Sequence, residues 1–98
     1  MQFNESCYAL LARVPKGKVT TYKALAHALG TKAYRAVGHA LNQNPNAPIV
    51  PCHRVIHANG ALGGYAYGLQ KKIRLLKSEG VKIRNNKINL DRYGFDFD

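Results

Sequence analysis

Residues 51–55 read Pro-Cys-His-Arg-Val, a cysteine followed directly by a histidine and an arginine. A thiol of ordinary pKa, about 8.5, is only a few per cent thiolate at neutral pH. An adjacent imidazole can act as a base and an adjacent guanidinium supplies a fixed positive charge, so both can raise the thiolate fraction. Cys52 is therefore a candidate nucleophile. A buried and inert cysteine is the alternative that these five residues leave open.

The charge of the chain is strongly positive and unevenly distributed. The 98 residues carry a formal net charge of +10, and residues 6–78 contain eleven Lys or Arg and no acid. Such a basic stretch predicts a surface that binds polyphosphate, with a solvated basic surface as the alternative. The basic residues form no single amphipathic stripe, and no apolar run approaches the ~20 residues that span a bilayer, so we expect no membrane partner.

The length allows one domain with one modest core. Two cysteines form no disulfide framework and no charged-then-apolar leader opens the sequence, which favours a reducing, intracellular location. A zinc site made from Cys7, Cys52, His53 and His57 matches no common ligand spacing, so we predict no metal.

Apolar spacing and breaker residues predict four helices. The first is capped by Asn4 and buries Cys7, and the second is capped by Thr20 or Thr21 and ended by Gly30. The third runs from Thr31 to about Asn42, and the fourth lies between Gly68 and Gly80. The second and third helices form a helix-turn-helix candidate with residues 33–42 as the recognition helix.

Two short β elements complete the prediction of a mainly α, winged helix-turn-helix-like single domain with short β hairpins. A strand is predicted for residues 53–56. A hairpin turning at Asn85-Asn86 would pair Ile83 with Ile88 and Val81 with Leu90.

The third helix carries small residues around one long side chain. Ala33, Ala36, Gly38 and Ala40 let a backbone approach DNA closely, and Arg35 projects from among them. A reader of the major groove more often carries several polar side chains for base edges. The pattern is typical of a narrow groove and a displaced base.

Glu79 is placed in the last turn of the fourth helix, where the helix dipole disfavours an anion by up to ~1 kcal/mol. Lys77 can offset this cost locally. Alternatively, Glu79 orients an imidazole, and Cys52, His53 and Glu79 then form a series of nucleophile, base and orienting residue.

From about residue 4 to residue 80 the chain resembles the C-terminal DNA-binding and active-site domain of the O6-alkylguanine-DNA alkyltransferases. The matching segments are residues 14–22 (Val-Pro-Lys-Gly-Lys-Val-Thr-Thr-Tyr), 35–38 (Arg-Ala-Val-Gly), 44–45 (Asn-Pro), 51–55 (Pro-Cys-His-Arg-Val), 60–65, and 79–80 (Glu-Gly). The resemblance assigns residues 1–80 to that domain and leaves residues 81–98 as a hairpin and tail packed on it.

The resemblance implies repair by irreversible transfer of an alkyl group from O6-methylguanine in double-stranded DNA to Cys52, without a cofactor and by a monomer. It implies catalytic roles for His53, Glu79 and Asn44 beside Cys52. It places Tyr65, Val55, Tyr67 and Lys72 at the substrate, and Tyr22, Arg35, Ala36, Gly38 and Arg54 at the DNA. Arg35 would fill the gap left by the flipped base. The location implied is the cytoplasm, associated with the nucleoid, or the nucleus if the protein is eukaryotic.

Three departures from the family pattern keep an alternative open. Most members carry an additional N-terminal domain that is not found in these 98 residues, and Tyr67 stands where a small residue, usually Gly, is usual. The short length and the tail resemble alkyltransferase-like proteins, which bind alkylguanine without repairing it but typically lack the acceptor cysteine. A lesion-binding module is thus the runner-up. A helix-turn-helix transcription factor would leave Cys52 unexplained.

Overall fold

A computed structural model describes residues 2–47 and 49–97, so Met1, Pro48 and Asp98 lie outside the described part. Within it the chain forms five α-helices, one 3-10 turn and two short strands. In chain order these are α1 Phe3–Leu11, β1 Thr20–Thr21, α2 Tyr22–Ala28, α3 Tyr34–Asn42, the 3-10 turn Cys52–Arg54, β2 Val55–Ile56, α4 Leu69–Ser78 and α5 Leu90–Tyr93. The domain is therefore mainly helical, as the sequence predicts, and none of its described helices has the length and apolar content to cross a membrane.

Helices α1, α2 and α3 pack around one core cluster, which includes Leu11, Leu25, Val37, Cys52 and Val55. The α2 cap is Thr21, whose hydroxyl accepts a hydrogen bond from the Ala24 amide at 2.9 Å. The prediction that Asn4 caps α1 is wrong. The cap position is Gln2, and the Asn4 amide donates to the Gln43 side chain at 3.1 Å instead, linking α1 to the end of α3.

The strand predicted for residues 53–56 is only half present. Cys52, His53 and Arg54 form the 3-10 turn, closed by a hydrogen bond from the Arg54 amide to the Pro51 carbonyl at 2.9 Å. Only β2 is extended, and it pairs in parallel with β1, Thr20 opposite Val55. Since the turn replaces the pleat, Cys52 and His53 do not follow the two-sided alternation of a strand.

The hairpin is shorter than predicted. Asn85 and Asn86 both adopt positive φ, as a two-residue turn requires, and Arg84 and Lys87 exchange backbone hydrogen bonds of 3.0 and 2.9 Å. The Ile88 amide then donates to the Gly60 carbonyl, and α5 begins at Leu90, so the pairing of Val81 with Leu90 is wrong. The four apolar side chains still share a second core cluster with Leu76 of α4.

The tail after α5 runs beside Val19, the residue directly before β1. The Val19 amide donates to the Tyr93 carbonyl at 2.8 Å, and the Phe95 amide donates to the Val19 carbonyl at 2.7 Å. Arg13 donates to the Phe97 carbonyl at 3.0 Å and lies over the Phe97 ring. These bonds join the tail to the segment that follows α1.

Candidate nucleophile site and nucleic-acid groove

The 3-10 turn places a cysteine and a histidine in the interior of the domain, directly before β2. Cys52 is 5% exposed and His53 is 1% exposed. The His53 Nε2 atom lies 3.0 Å from Oε2 of Glu79, a residue 26 positions away at the end of α4. The structure thus brings together the proposed base and the proposed orienting carboxylate.

Arg54 holds the same carboxylate in a bidentate pair. Its Nε donates to Oε1 of Glu79 at 2.9 Å and its Nη2 donates to Oε2 at 2.7 Å. The remaining Nη1 donates to the Val14 carbonyl at 2.8 Å. All three guanidinium nitrogens of Arg54, predicted to contact DNA, are therefore directed at the protein itself.

The protonation state of this cluster follows from its bonds. Burial would raise the pKa of Glu79, but hydrogen bonds from Arg54 and His53 outweigh it and hold the pKa below its ordinary value. Burial lowers the pKa of His53, against the opposing pull of Glu79. An ionised carboxylate only accepts, so Nε2 of the neutral ring carries the hydrogen and Nδ1 is the acceptor. In the described part of the chain that buried Nδ1 has no hydrogen-bond partner.

Tyr65 lies against both the cysteine and the histidine. Burial is the main cause that raises its pKa to about 12, helped by the charge of Cys52 and by a hydrogen bond to the Cys52 side chain. Its ring meets the His53 ring edge-on, with centroids 6.4 Å apart. A tyrosine with so high a pKa stays protonated near neutral pH and serves as a hydrogen-bond donor.

Tyr67 lies at the rim of the site rather than inside it. Its side chain is 50% exposed and its ring centroid is 5.5 Å from that of Tyr65. The Tyr67 hydroxyl donates to the Asn44 carbonyl at 3.2 Å, and the Lys71 ammonium lies over its ring. Tyr67 therefore links the segment after β2 to the loop that precedes Cys52.

Two buried polar side chains brace the segments around the nucleophile. Asn44 donates to the Val50 carbonyl at 2.7 Å and accepts from the Asn46 amide at 3.0 Å, which closes the loop before Cys52. Lys72 is fully buried in α4 and donates to the carbonyls of Val55, Leu62 and Gly64. Burial lowers the Lys72 pKa to about 8.

An open groove of about 860 Å³ lies between the helix pair and the segment after β2. It is lined by Tyr22, Lys23, Tyr34, Arg35, Gly38 and Tyr65, among others. Arg35 and Ala36 are exposed on α3. Val55, predicted to contact substrate, is instead fully buried in the helical core cluster and does not line the groove.

Sequence reasoning missed two features of this site. One is the clamp of Arg54 on Glu79. The sequence carried a signal for it, because Glu79 is the sole acid between residues 6 and 90. A buried arginine of that segment can therefore pair with no other carboxylate in the same segment. The other is His57, which lines the groove with its ring centroid 5.2 Å from that of Tyr22. Across residues 2–47 and 49–97, no three His, Cys, Asp or Glu side chains cluster so as to hold a metal ion.

Comparison with known proteins gives a family and two kinds of relative. The family described as "6-O-methylguanine DNA methyltransferase, DNA binding domain" matches residues 2–81. A methylated-DNA–protein-cysteine methyltransferase of Saccharolobus islandicus is 53% identical over 83% of this chain, and a bifunctional methyltransferase/endonuclease of Picrophilus torridus is 48% identical over 91%. The matches span only 52% and 30%, respectively, of those relatives' lengths.

Two solved structures of DNA complexes resemble this chain. The Mycobacterium tuberculosis OGT in complex with DNA superposes with a TM-score of 0.77 at 42% identity, covering 81% of this chain and 50% of that one. The Schizosaccharomyces pombe Atl1, in complex with damaged DNA containing O6-carboxymethylguanine, superposes with a TM-score of 0.84 at 30% identity, covering 98% and 99%. With four fifths of its length matched by the family model, this chain belongs to the 6-O-methylguanine DNA methyltransferase DNA-binding domain family.

Proposed function

We propose that this domain binds double-stranded DNA containing O6-alkylguanine and transfers the alkyl group to its own Cys52. The observation that carries the proposal is the arrangement around His53. Its Nε2 is held by Glu79, which leaves Nδ1 of the neutral ring as a buried acceptor in the residue next to the thiol. That is the arrangement a general base needs.

The groove supplies the recognition half of the proposal. Lys23 and Arg35 give it positive charge, and Tyr65 connects it to Cys52. A base inside a duplex cannot reach a buried thiol, so the alkylated guanine has to be rotated out of the stack, with Arg35 taking its place. A relative solved in complex with damaged DNA containing O6-carboxymethylguanine supports the binding of alkylated DNA.

The transfer step balances within the protein and the lesion. His53 Nδ1 takes the thiol proton, directly or through one water, and the thiolate sulfur of Cys52 attacks the alkyl carbon. The sulfur–carbon bond forms as the bond from that carbon to O6 breaks. The Tyr65 hydroxyl donates to the departing base, and the proton taken from the thiol ends on the guanine. The products are an unmodified guanine and a thioether, so each molecule acts once.

Intact-mass spectrometry after incubation with duplex DNA containing O6-methylguanine tests the proposal. We expect a gain of one methylene mass that stops at one equivalent and maps to the peptide with Cys52. Cys7→Ser should still be methylated, since Cys7 is fully buried in α1. Cys52→Ser should bind DNA without any gain of mass, because phosphate contacts lie elsewhere.

A second candidate function is lesion binding without transfer. It is favoured by the match to Atl1, which extends over nearly the whole of both chains. Tight binding to O6-methylguanine DNA with no change of mass would support this reading and contradict transfer. Methylation of Cys7, or turnover beyond one equivalent, would contradict both readings.

A further inference from the structure

A second basic surface lies at the end of α4 and along the turn that follows it. It consists of Arg74, Lys77, Lys82, Arg84 and Lys87, all exposed, and is named here the α4 ridge. A groove of about 490 Å³ at its centre is lined by Lys77 and residues 80–84. None of these residues lines the groove between the helix pair and Tyr65.

The ridge faces away from the nucleophile. On α4 the side chains of Lys72 and Leu76 are fully buried, and the Lys72 ammonium reaches the Val55 carbonyl beside Cys52. At about 100° per residue, Arg74 and Lys77 fall on the opposite half of the helix. The ridge is therefore separate from the groove between the helix pair and Tyr65, named here the α3 groove, and shares no lining residue with it.

The charge of the ridge is not neutralised by its surroundings. Glu79 is the only acid between residues 6 and 90, and its carboxylate is turned inward to His53 and Arg54. The ion pairs of that carboxylate are made with His53 and Arg54 and include no residue of the ridge. With five exposed cations and Glu79 turned inward, the ridge presents positive potential toward solvent.

The composition of the ridge selects the kind of partner. The large apolar side chains exposed on the described surface, Phe3, Tyr34, Ile49, Tyr67 and Leu69, all lie outside it. Without an aromatic ring it has no platform on which single-stranded bases stack. The apolar side chains of its groove, Val81 and Ile83, are buried and half-buried, so they offer no exposed anchor for a protein interface or a membrane. Cations alone suffice for the phosphate backbone of a duplex.

We propose that the α4 ridge binds the phosphate backbone of a second double-stranded DNA segment while the α3 groove holds the first. The inference rests on the proposed function for the first duplex. One molecule would then hold two segments at once and could move between them without returning to free solution.

A two-duplex capture experiment tests this. Immobilised duplex containing O6-methylguanine is loaded with the protein and washed, and a fluorescent duplex without the lesion is then added. Wild type should retain the second duplex. The neutralised variant, Lys77→Gln/Lys82→Gln/Arg84→Gln, should retain at least about tenfold less. The slope of the logarithm of affinity for the second duplex against the logarithm of salt concentration should become shallower by about 0.9 per lost contact. The charge-preserving variant Lys77→Arg/Lys82→Arg/Arg84→Lys should retain as much as wild type.

Three results of the capture experiment would overturn the ridge proposal, and a fourth, from competition with a peptide, would contradict it as well. The first is that wild type retains no second duplex, and the second is that the neutralised variant retains as much of it as wild type. The third is that the neutralised variant loses as much affinity for the first duplex as for the second, which would make the ridge part of the primary surface. Displacement of the second duplex by a poly-glutamate peptide at lower concentration than by DNA would point to an acidic protein partner and also contradict it. Methyl uptake, measured by mass on the same samples, reports separately on the proposed function.

Discussion

The buried cluster and the open groove of this domain are built in opposite ways. In the cluster, Glu79 accepts three hydrogen bonds from His53 and Arg54, and its side chain is only 8% exposed. In the groove, Arg35 is exposed on α3. The cluster has its partners within the fold, whereas the groove presents its charge outward for a ligand to neutralise.

This difference predicts which substitutions should lower folding stability and which should lower only DNA binding. Removing a group from the cluster leaves a buried partner unpaired, which costs folding stability as well as chemistry. Removing a group from the groove leaves nothing unpaired in the free protein, so only binding should suffer. Substitutions that affect both properties equally would break the comparison.

The largest effect is expected from Glu79→Gln. The change leaves the Arg54 guanidinium without its anion and His53 without its orienting carboxylate. We expect a loss of about 3–5 kcal/mol in the free energy of unfolding, measured by urea titration. The single-turnover rate of methyl transfer should fall by about 10²-fold or more.

Glu5→Gln is the matched control, because Glu5 is an exposed acid on α1. It should change neither quantity. A loss of less than about 1 kcal/mol for Glu79→Gln would show that the buried pair does not hold the cluster together.

Arg35→Ala should act on recognition alone. Flipping a base costs a few kcal/mol, part of which an inserted side chain recovers, so repair of duplex DNA should slow by about 10- to 100-fold. Reaction with free O6-methylguanine base and the unfolding midpoint should stay near wild type. Lys23→Ala, on the same groove, should weaken all duplex binding and lower its salt slope by about one unit. An equal loss on free base would mean that Arg35 shapes the pocket.

The two regions also differ in how well the sequence predicts them. The helix pair and the outward position of Arg35 on α3 could be predicted, because helical spacing, the Thr21 cap and the helix-ending Gly30 are local signals. The parallel pairing of β1 with β2 could not, since two-residue strands are too short to show an alternating pattern. The partners of Arg54 lie 25 and 40 positions away in sequence, at Glu79 and Val14, and no local rule connects them.

The sequence predicts indirectly that Glu79 has a partner elsewhere in the fold. An anion in the last turn of a helix opposes the helix dipole, and that conflict suggested a partner elsewhere. The structure supplies two partners, and Arg54 is the one that was predicted to face DNA. Locally, Arg54 carries the same signal as any basic residue of a nucleic-acid-binding protein, so only the packed structure separates it from Arg35.

Lowering the pH should reduce the free energy of unfolding through the buried cluster of His53 and Glu79. The folded pKa of His53 is lowered by burial, so its contribution to stability is fully present above the unfolded value of about 6.5 and is lost as the pH falls through the folded pKa. Glu79, also lowered, adds a loss below about pH 4.3. We expect the free energy of unfolding to decrease between pH 7 and pH 5, measured by urea titration at each pH. His53→Gln should flatten that decrease, and an equal slope in the variant would refute the assignment.

The smallest effect is expected at Tyr67, where the two regions meet. The ring narrows the rim beside Tyr65, and overpacking by a bulky substrate typically costs ~1–3 kcal/mol, so wild type should prefer methyl over benzyl adducts. Tyr67→Gly should narrow that preference in single-turnover rates. Tyr67→Phe removes only the hydrogen bond to the Asn44 carbonyl, which should cost about 1 kcal/mol of stability and leave the preference unchanged. If Tyr67→Gly slows benzyl transfer instead, the ring is a platform that binds the substrate, and Tyr67 belongs functionally to the open groove.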